Sequence, residues 1–319
     1  MRSYSFTFLV LSLCCAIHLG AQTEYDLGRL PGSPLRMGFG ARGIGMGNAL
    51  SSIRTDESVS YYNPALVAFQ MKRKLSIGSG LLSLDRKLNT LSYSQGIGKS
   101  AGIALGIVNT GVTNLEGRNR DGLLTESYST SENSFFFSFG TQLSKSASLG
   151  LTTKILYYSL FEKVASTTVG FDIGLQYALN NEVTAAFVLQ DLNSKYKWDT
   201  TPIYGRDGNT TIERFPLRRK MGISYSPHFA NAVGSAEVEW IGTNSLVRIG
   251  FEASLHETFS LYCGIDQISF ARSLDAKPAA GFSFLLPVEF WKPKLHYAYV
   301  IEPYAQSGIH LLSLSLTIE

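Results

Sequence analysis

Thr167–Leu179 reads TTVGFDIGLQYAL, and its alternation decides the fold. Val169, Phe171, Ile173, Leu175, Tyr177 and Leu179 fall on one face, opposite Gly170, Asp172, Gly174 and Gln176. A period of two marks a strand with one face in an apolar medium and the other in a polar one. Working outward, Ala147–Tyr157 sets Leu149, Leu151, Ile155 and Tyr157 against Ser148, Gly150, Thr152 and Lys154. Val247–Leu255 sets Val247, Ile249, Phe251, Ala253 and Leu255 against Arg248, Gly250, Glu252 and Ser254. Phe135, Phe137 and Phe139 alternate with Ser134, Ser138 and Gly140, broken only by Phe136.

Counting such segments gives about fourteen strands. Their expected limits are 75–84, 88–98, 100–109, 133–143, 147–158, 167–179, 182–192, 218–226, 232–241, 245–256, 258–267, 279–286, 294–301 and 308–318. An even count is what single-chain bacterial barrels show. Connection lengths sort the same way: every second connection is brief, as at Gly98-Lys99, Asn180-Asn181 and Glu257. The two long connections, 110–132 and 193–217, fall on the opposite side. Outer-membrane barrels put short turns in the periplasm and long loops outside.

The composition fits. Of 319 residues, 17% are charged, below the roughly 25% of an ordinary soluble domain, while glycine (30), tyrosine (16) and phenylalanine (19) are plentiful. Net charge is +3 with Lys and Arg scattered, so there is no electrostatic case for nucleic acid. Arg2, the apolar run Phe6–Leu19 and Gly20-Ala21 form a secretory signal peptide pattern, which puts cleavage after Ala21 and leaves Cys263 as the one mature cysteine. The expected organisation is a leader over 1–21, an N-terminal extension and hatch with short helices over 22–72, and an antiparallel transmembrane β-barrel over 73–319 in the bacterial outer membrane. Outer-membrane lipid is then its surroundings. An exported sandwich or propeller would also alternate. Against it stand apolar faces continuing to the end of the chain and no repeat that would mark blades.

Residues 37–69 stand apart from this pattern. Gly38-Phe39-Gly40-Ala41-Arg42-Gly43 spells G-x-G-x-x-G, but no strand precedes it and no strand–helix alternation follows, so a dinucleotide site is not expected. Glycines here let backbone pass through a tight space. Asn63-Pro64 is a helix start, with Asn as cap and Pro at the first position, and Thr55-Asp56 is a second capping candidate. Helices this short must pack inside something.

Catalysis finds little support. There is no G-x-S-x-G elbow, and His228, His256, His296 and His310 are far apart without metal-ligand spacing, so no catalytic residue, metal or cofactor is expected. An outer-membrane lipid-modifying enzyme stays a remote alternative. The inner faces are expected to carry Lys154, Asp172, Glu237, Glu239, Arg248 and Glu252, with Gln176 and Asp266. These charges either line a translocation path or pair with each other and with a plug.

Gly43-Ile44-Gly45-Met46-Gly47-Asn48-Ala49, then Asp56-Glu57-Ser58, then Tyr61-Tyr62-Asn63-Pro64-Ala65-Leu66 resembles the N-terminal signature of the PorV/PorQ family, part of the wider FadL-like group of outer-membrane barrels. Pro303–Leu316 is similar to that family's last strand. The resemblance implies fourteen strands around an inward-folded hatch, with Gly43, Gly45, Gly47, Asn63, Pro64 and Ala65 as its gating elements. It implies transport of hydrophobic small molecules or, alternatively, service as a scaffold or shuttle with the proteins of type IX secretion.

Overall fold

A computed structural model describes residues 28, 30–54, 59–161, 163–242, 244–269, 276–286, 288, 291–303, 305 and 307–318. The leader expected over 1–21 and the capping expected at Thr55-Asp56 lie outside the described residues. No helix among them is long and apolar enough to cross a membrane.

Strands form where the alternation placed them: β1 Arg73–Leu81, β2 Arg86–Ile97, β3 Ala101–Val112, β6 Ser131–Gln142, β7 Ala147–Phe161, β8 Val164–Ala178, β9 Val183–Leu192, β12 Arg218–Tyr225, β13 Ala232–Ile241, β14 Asn244–His256, β15 Phe259–Ile268, β16 Lys277–Leu285, β17 Trp291–Val300 and β18 Ile309–Ile318. They close into one antiparallel barrel, each strand beside its sequence neighbour, with β18 returning to β1 in register from Arg73↔Ile318 to Leu81↔His310. Closure satisfies every ladder and leaves no edge, the condition for a sheet to stand in lipid. The sandwich and propeller alternatives are thereby excluded.

The outer face is apolar all round. Phe135, Phe137, Phe139, Leu149, Leu151, Ile155, Val169, Ile173, Leu175, Ile249 and Phe251 are exposed on it. Their in-strand neighbours Ser134, Ser138, Ser148, Thr152, Asp172, Gln176, Arg248 and Glu252 are buried in the lumen. This inversion, with large apolar side chains exposed and charges buried, is the signature of a membrane barrel and not of a water-soluble one.

Sequence reading left the long connections featureless, yet each holds a hairpin: β4 Leu115–Arg118 with β5 Leu124–Tyr128, and β10 Lys195–Asp199 with β11 Thr210–Arg214. The second folds back over the mouth. Tyr196, Trp198 and Phe215 are buried there, Tyr196 and Trp198 stack on Tyr158 with ring centroids 5.2 Å away in each case, and the Lys197 amide donates to Ser166 Oγ at 2.8 Å. Burial raises the Tyr196 phenol well above its ordinary range, and nearby Glu132, whose carboxylate accepts its hydrogen bond, adds to the rise.

Phe136, the break in the alternation, points inward. It meets Phe39 edge-on at 5.9 Å and occupies the space over Gly106 on β3.

Because Phe137 sits mid-strand on the lipid face, Phe137→Arg should lower folding stability in a bilayer by about 2–4 kcal/mol. Urea titration of the barrel refolded into vesicles measures this; an unchanged midpoint would mean that this face does not meet hydrocarbon.

Candidate functional site

Residues 30–54 and 59–71 lie inside the barrel, beginning at the long-loop mouth and ending at the short-turn end. Their regular pieces are brief: a 3-10 turn Pro34–Arg36, a helix Gly40–Gly45, a helical turn Val59–Tyr62 and a 3-10 helix Pro64–Phe69. Most of their backbone polar groups therefore lack repeating partners, and lumen side chains answer them. Gln176 Nε2 donates to the Ser52 carbonyl at 3.0 Å, Ser224 Oγ to the same carbonyl at 3.1 Å, Gln190 Nε2 to Tyr61 O at 2.9 Å and Gln142 Nε2 to Ala68 O at 3.1 Å. Ser313 Oγ accepts from the Ala41 amide at 3.1 Å.

Asn63 and Pro64 start the lower helix. Asn63 Oδ1 accepts from the Ala65 amide at 2.9 Å, the N-cap bond, while its Nδ2 donates to Ser51 O at 2.8 Å and to Leu175 O on β8 at 3.2 Å. Asn63, Pro64 and Ala65 are fully enclosed. The wall accommodates them by lacking side chains. A Cβ on Gly150 of β7 would overlap the Pro64 carbonyl, and one on Gly174 of β8 would overlap Asn63. The lower seat is steric, with backbone lying on backbone.

A second seat is electrostatic. Arg42 Nε donates to Glu252 Oε2 on β14 at 3.0 Å, and its Nη2 reaches the same oxygen. Asn48 Nδ2 donates to Asp266 Oδ2 at 2.9 Å, and the Ser51 amide to Glu237 Oε2 at 3.4 Å. Asn48 holds a left-handed φ of 60°, and its Oδ1 accepts from Tyr62 OH at 2.8 Å. Gly47, φ 62°, lies so close to the wall that a Cβ would sit 2.7 Å from the Ile265 backbone. Gly45 faces the Tyr262 ring and Gly43 the Tyr62 phenol.

Behind the hatch the inner wall carries a connected set of charges. Arg248 bonds Asp266 at 2.5 Å, Glu237 at 3.2 Å and also Glu239. Arg218 pairs with Glu239 and approaches Asp191 at 3.8 Å, and Lys220 lies 3.6 Å from Glu237. Lys154 meets Asp172 at 2.7 Å and also Asp191. Thus Lys154 and Asp172 form one end of the set, Glu237, Glu239 and Arg248 the other, and Glu252 receives the hatch. Asp191, Arg218 and Lys220 had not been singled out. Asp191 escapes period-two reading because the β8–β9 register slips between Phe171 and Ile173, turning both Gln190 and Asp191 inward at a φ of 67° for the latter. Bulges re-aim side chains in this way beside functional sites. Arg218 and Lys220 alternate correctly, but a charged pair opening a strand after a long polar loop gave no sign of its side.

Three spaces surround the hatch. An outer cavity of about 400 Å³ opens at the long-loop end, bordered by Pro34, Met37, Ile44, Val112, Val300 and Ile309 with Tyr158. A cleft of about 30 Å³ lies beside Tyr61, Phe136 and Phe215. A vestibule of about 1220 Å³ opens at the short-turn end, lined by Arg54, Phe69, Lys74, Lys145, Glu182 and Lys294 among others. Arg54 closes its roof, 3.9 Å over the Phe69 ring and 3.3 Å from Gln176 Oε1. No group of three or more metal-ligating side chains forms among the described residues.

The two seats give separable predictions. Arg42→Gln leaves the buried Glu252 carboxylate without its arginine, a change that costs about 3–5 kcal/mol in comparable buried pairs. Channel openings in planar bilayers should become far more frequent, and the exchange R42E with E252R should quiet them again. Gly150→Val should open the lumen through the lower seat, whatever the charges, in a barrel that still shows heat-modifiable gel mobility. Silent bilayers for both single variants would show that neither seat holds the lumen shut.

Among solved structures, the fold matches the CymD monoaromatic hydrocarbon channel with a TM-score of 0.65 at 13% identity, covering 89% of this chain and 98% of that one. It matches the Pseudomonas putida toluene transporter TodX at 0.60 and 13%, covering 88% and 97%, and a Pseudomonas aeruginosa FadL homologue at 0.60 and 11%, covering 88% and 98%. No family model and no curated protein matches the sequence. At such identities the likeness is one of fold: the chain is a fourteen-stranded barrel with the fold of these FadL-like channels and the outward apolar face of an outer-membrane barrel.

Proposed function

We propose that the protein carries hydrophobic small molecules across the outer membrane, with residues 37–70 as a hatch that must shift for passage. The observation that supports this most is the cavity of about 400 Å³ between the hatch and the wall, whose border sets apolar Pro34, Met37, Ile44 and Val300 among charged side chains such as Arg86 and Glu302. It falls within the usual size range of ligand pockets and opens at the long-loop end, the one that faces outside. A barrel whose lumen served only as scaffold would gain nothing from such a space. The channels of like fold are described as carrying monoaromatic hydrocarbons and toluene, which agrees with the reading.

Within it, Gly43, Gly45 and Gly47 let the upper hatch lie against the wall, and Asn63, Pro64 and Ala65 form the lower stop. Lys154, Asp172, Glu237, Glu239, Arg248 and Glu252 hold the hatch in register more than they contact cargo. The finer assignment, a PorV/PorQ-type member of the group, is carried by the motif spanning residues 43–66. Service in type IX secretion gains no support from the loops: the hairpin 195–214 turns Tyr196 and Trp198 into the mouth, where they cannot meet a partner.

The test is uptake by whole cells of a Gram-negative host whose own channels for apolar compounds are deleted. Expression should raise uptake of labelled toluene several-fold over the empty vector and leave uptake of a hydrophilic disaccharide unchanged. Equal gains for both would mean an open pore, and no gain for toluene would end the transport reading.

A further inference from the structure

The outward face of β1, β2, β3, β6, β7 and β8 changes character abruptly near the long-loop end. Ile77, Leu91, Ile107, Phe135, Ile155 and Val169 stand side by side across these strands as one apolar row. The next row towards the long loops, in the same register, is Ser79, Asn89, Asn109, Asn133, Tyr157 and Thr167. It lies two residues further along each strand, about 5 Å further out at an ordinary strand tilt. The row beyond it holds Leu81, Lys87, Ser131, Ser159 and Ala165. Outer-membrane barrels commonly close their apolar band with aromatic side chains. On this arc Tyr157 is the one aromatic of the polar row, and three amides take its centre.

The amides form a ladder. Ser79 Oγ donates to Asn89 Oδ1 at 2.9 Å, Asn89 Nδ2 to Asn109 Oδ1 at 3.3 Å and Asn109 Nδ2 to Asn133 Oδ1 at 2.7 Å. Ser131 Oγ accepts from Asn109 Nδ2 at 3.2 Å and from Asn133 Nδ2 at 3.1 Å. Each carboxamide offers two N–H donors and an oxygen with two lone pairs. These bonds leave one N–H on each of Asn89 and Asn133 and one lone pair on each amide oxygen of the ladder. Ser79 is exposed and the three asparagines are half-buried, so molecules outside the wall touch the row. Hydrocarbon cannot answer these groups, and a lipid headgroup can. The row therefore stands at headgroup level in the outer leaflet.

A lipid whose chains lie on the row that begins at Ile77 carries its headgroup one row further out, against the ladder. The two rows are one continuous surface, which favours a lipid over a protein as occupant. The side-chain chemistry then selects the headgroup. Among the described residues of the polar row and the row beyond it, Lys87 is the one cation, and no carboxylate occurs. Neutral groups that both donate and accept match the hydroxyls and amides of a sugar, whereas a phosphate accepts only and favours clustered cations. We infer that the outward ladder of Ser79, Asn89, Asn109 and Asn133 docks the sugar headgroup of an outer-leaflet glycolipid, with Lys87 beside it to meet a phosphate on that sugar. This surface is on the other side of the wall from the hatch and is independent of the transport reading.

The experiment is native mass spectrometry of the full barrel in a polyoxyethylene detergent, which carries no sugar, with equal amounts of lipid A and cardiolipin added. Both lipids bear phosphates and several acyl chains, and lipid A alone has the amino-sugar. The wild type should retain lipid A several-fold over cardiolipin. The triple variant Asn89→Leu, Asn109→Leu and Asn133→Leu should lose about tenfold or more of its lipid A retention, the effect of two or more hydrogen bonds, with cardiolipin unchanged. Leucine suits a lipid-facing position, and heat-modifiable gel mobility checks that the barrel still forms. Lys87→Gln should weaken both lipids alike and keep the preference. Equal retention of both lipids by the wild type, a preference that survives the triple variant, or one that Lys87→Gln alone erases would each overturn the assignment. Dimers that the triple variant loses, without any lipid preference, would give this face to a second copy of the chain and overturn it as well.

Discussion

Every backbone N–H and C=O at membrane depth must find a partner inside the protein, and the hatch is mostly irregular backbone at that depth. The rest of the lumen follows from this constraint. Fourteen strands enclose more space than their own inward side chains fill, so the interior needs either water or a plug. The plug chosen here has few internal hydrogen bonds, and the wall must supply them. Gln142, Gln176, Gln190, Ser224 and Ser313 all reach hatch backbone. Polar side chains that look like the lining of an aqueous pore are, in this state, the hydrogen-bond shell of a folded segment.

The same constraint divides the hatch into two kinds of contact. At the Asn63-Pro64-Ala65 element, wall glycines let backbone touch backbone, and specificity comes from shape. Gly in a strand interior costs roughly 0.5–1 kcal/mol relative to Ala, so a wall that spends several of them must recover the loss in close packing. On the opposite wall, Arg42, Asn48 and the Ser51 amide meet Glu252, Asp266 and Glu237 on the successive strands β13, β14 and β15. Desolvated pairs of this type add little net stability but are costly to break singly. They fix where the hatch sits and resist small slips, whereas the steric seat resists only compression.

How much of this was legible in the sequence depends on period. Strands repeat at two residues and face two contrasting media, so Thr167–Leu179 or Ala147–Tyr157 announces both its conformation and its inner face. The hatch has no period. Gly38–Asn48 and Asn63-Pro64-Ala65 could be noticed as unusual composition, and the family-like signature gave them a place. The partners could not be read, because Gly150 and Gly174 look like any inward glycine until Pro64 and Asn63 lie against them. Asp191 was hidden by a bulge that breaks alternation, and Phe136 showed itself as an irregularity whose cause, Phe39, is 97 residues away in sequence. The hairpin within 113–130 was missed because its short strands show little alternation, whereas β10, Lys195–Asp199, does alternate with Tyr196 and Trp198 on one face but is only five residues long inside a polar loop.

The arrangement also bears on which part of the hatch must move. The outer cavity touches Pro34, Met37, Ile44 and Asn48, all on the upper half, and the vestibule touches Phe69 and Met71 at the lower end. Between them Phe39, Tyr61 and Phe136 bring their rings within 6 Å of one another in two contacts, Phe39–Tyr61 at 5.5 Å and Phe39–Phe136 at 5.9 Å. These rings form an aromatic layer that does not depend on charge. A guest in the outer cavity lies beside Asn48, whose left-handed conformation is held by Tyr62 and Asp266 together. Loosening that residue frees Tyr62, which carries the hydrogen bond from the Phe39 amide at 3.0 Å and stacks on Tyr61 at 5.0 Å. The path from an occupied cavity to the aromatic layer is therefore two side chains long and runs through the upper hatch. The Asn63-Pro64-Ala65 element, seated against wall backbone, leaves such a movement the least room.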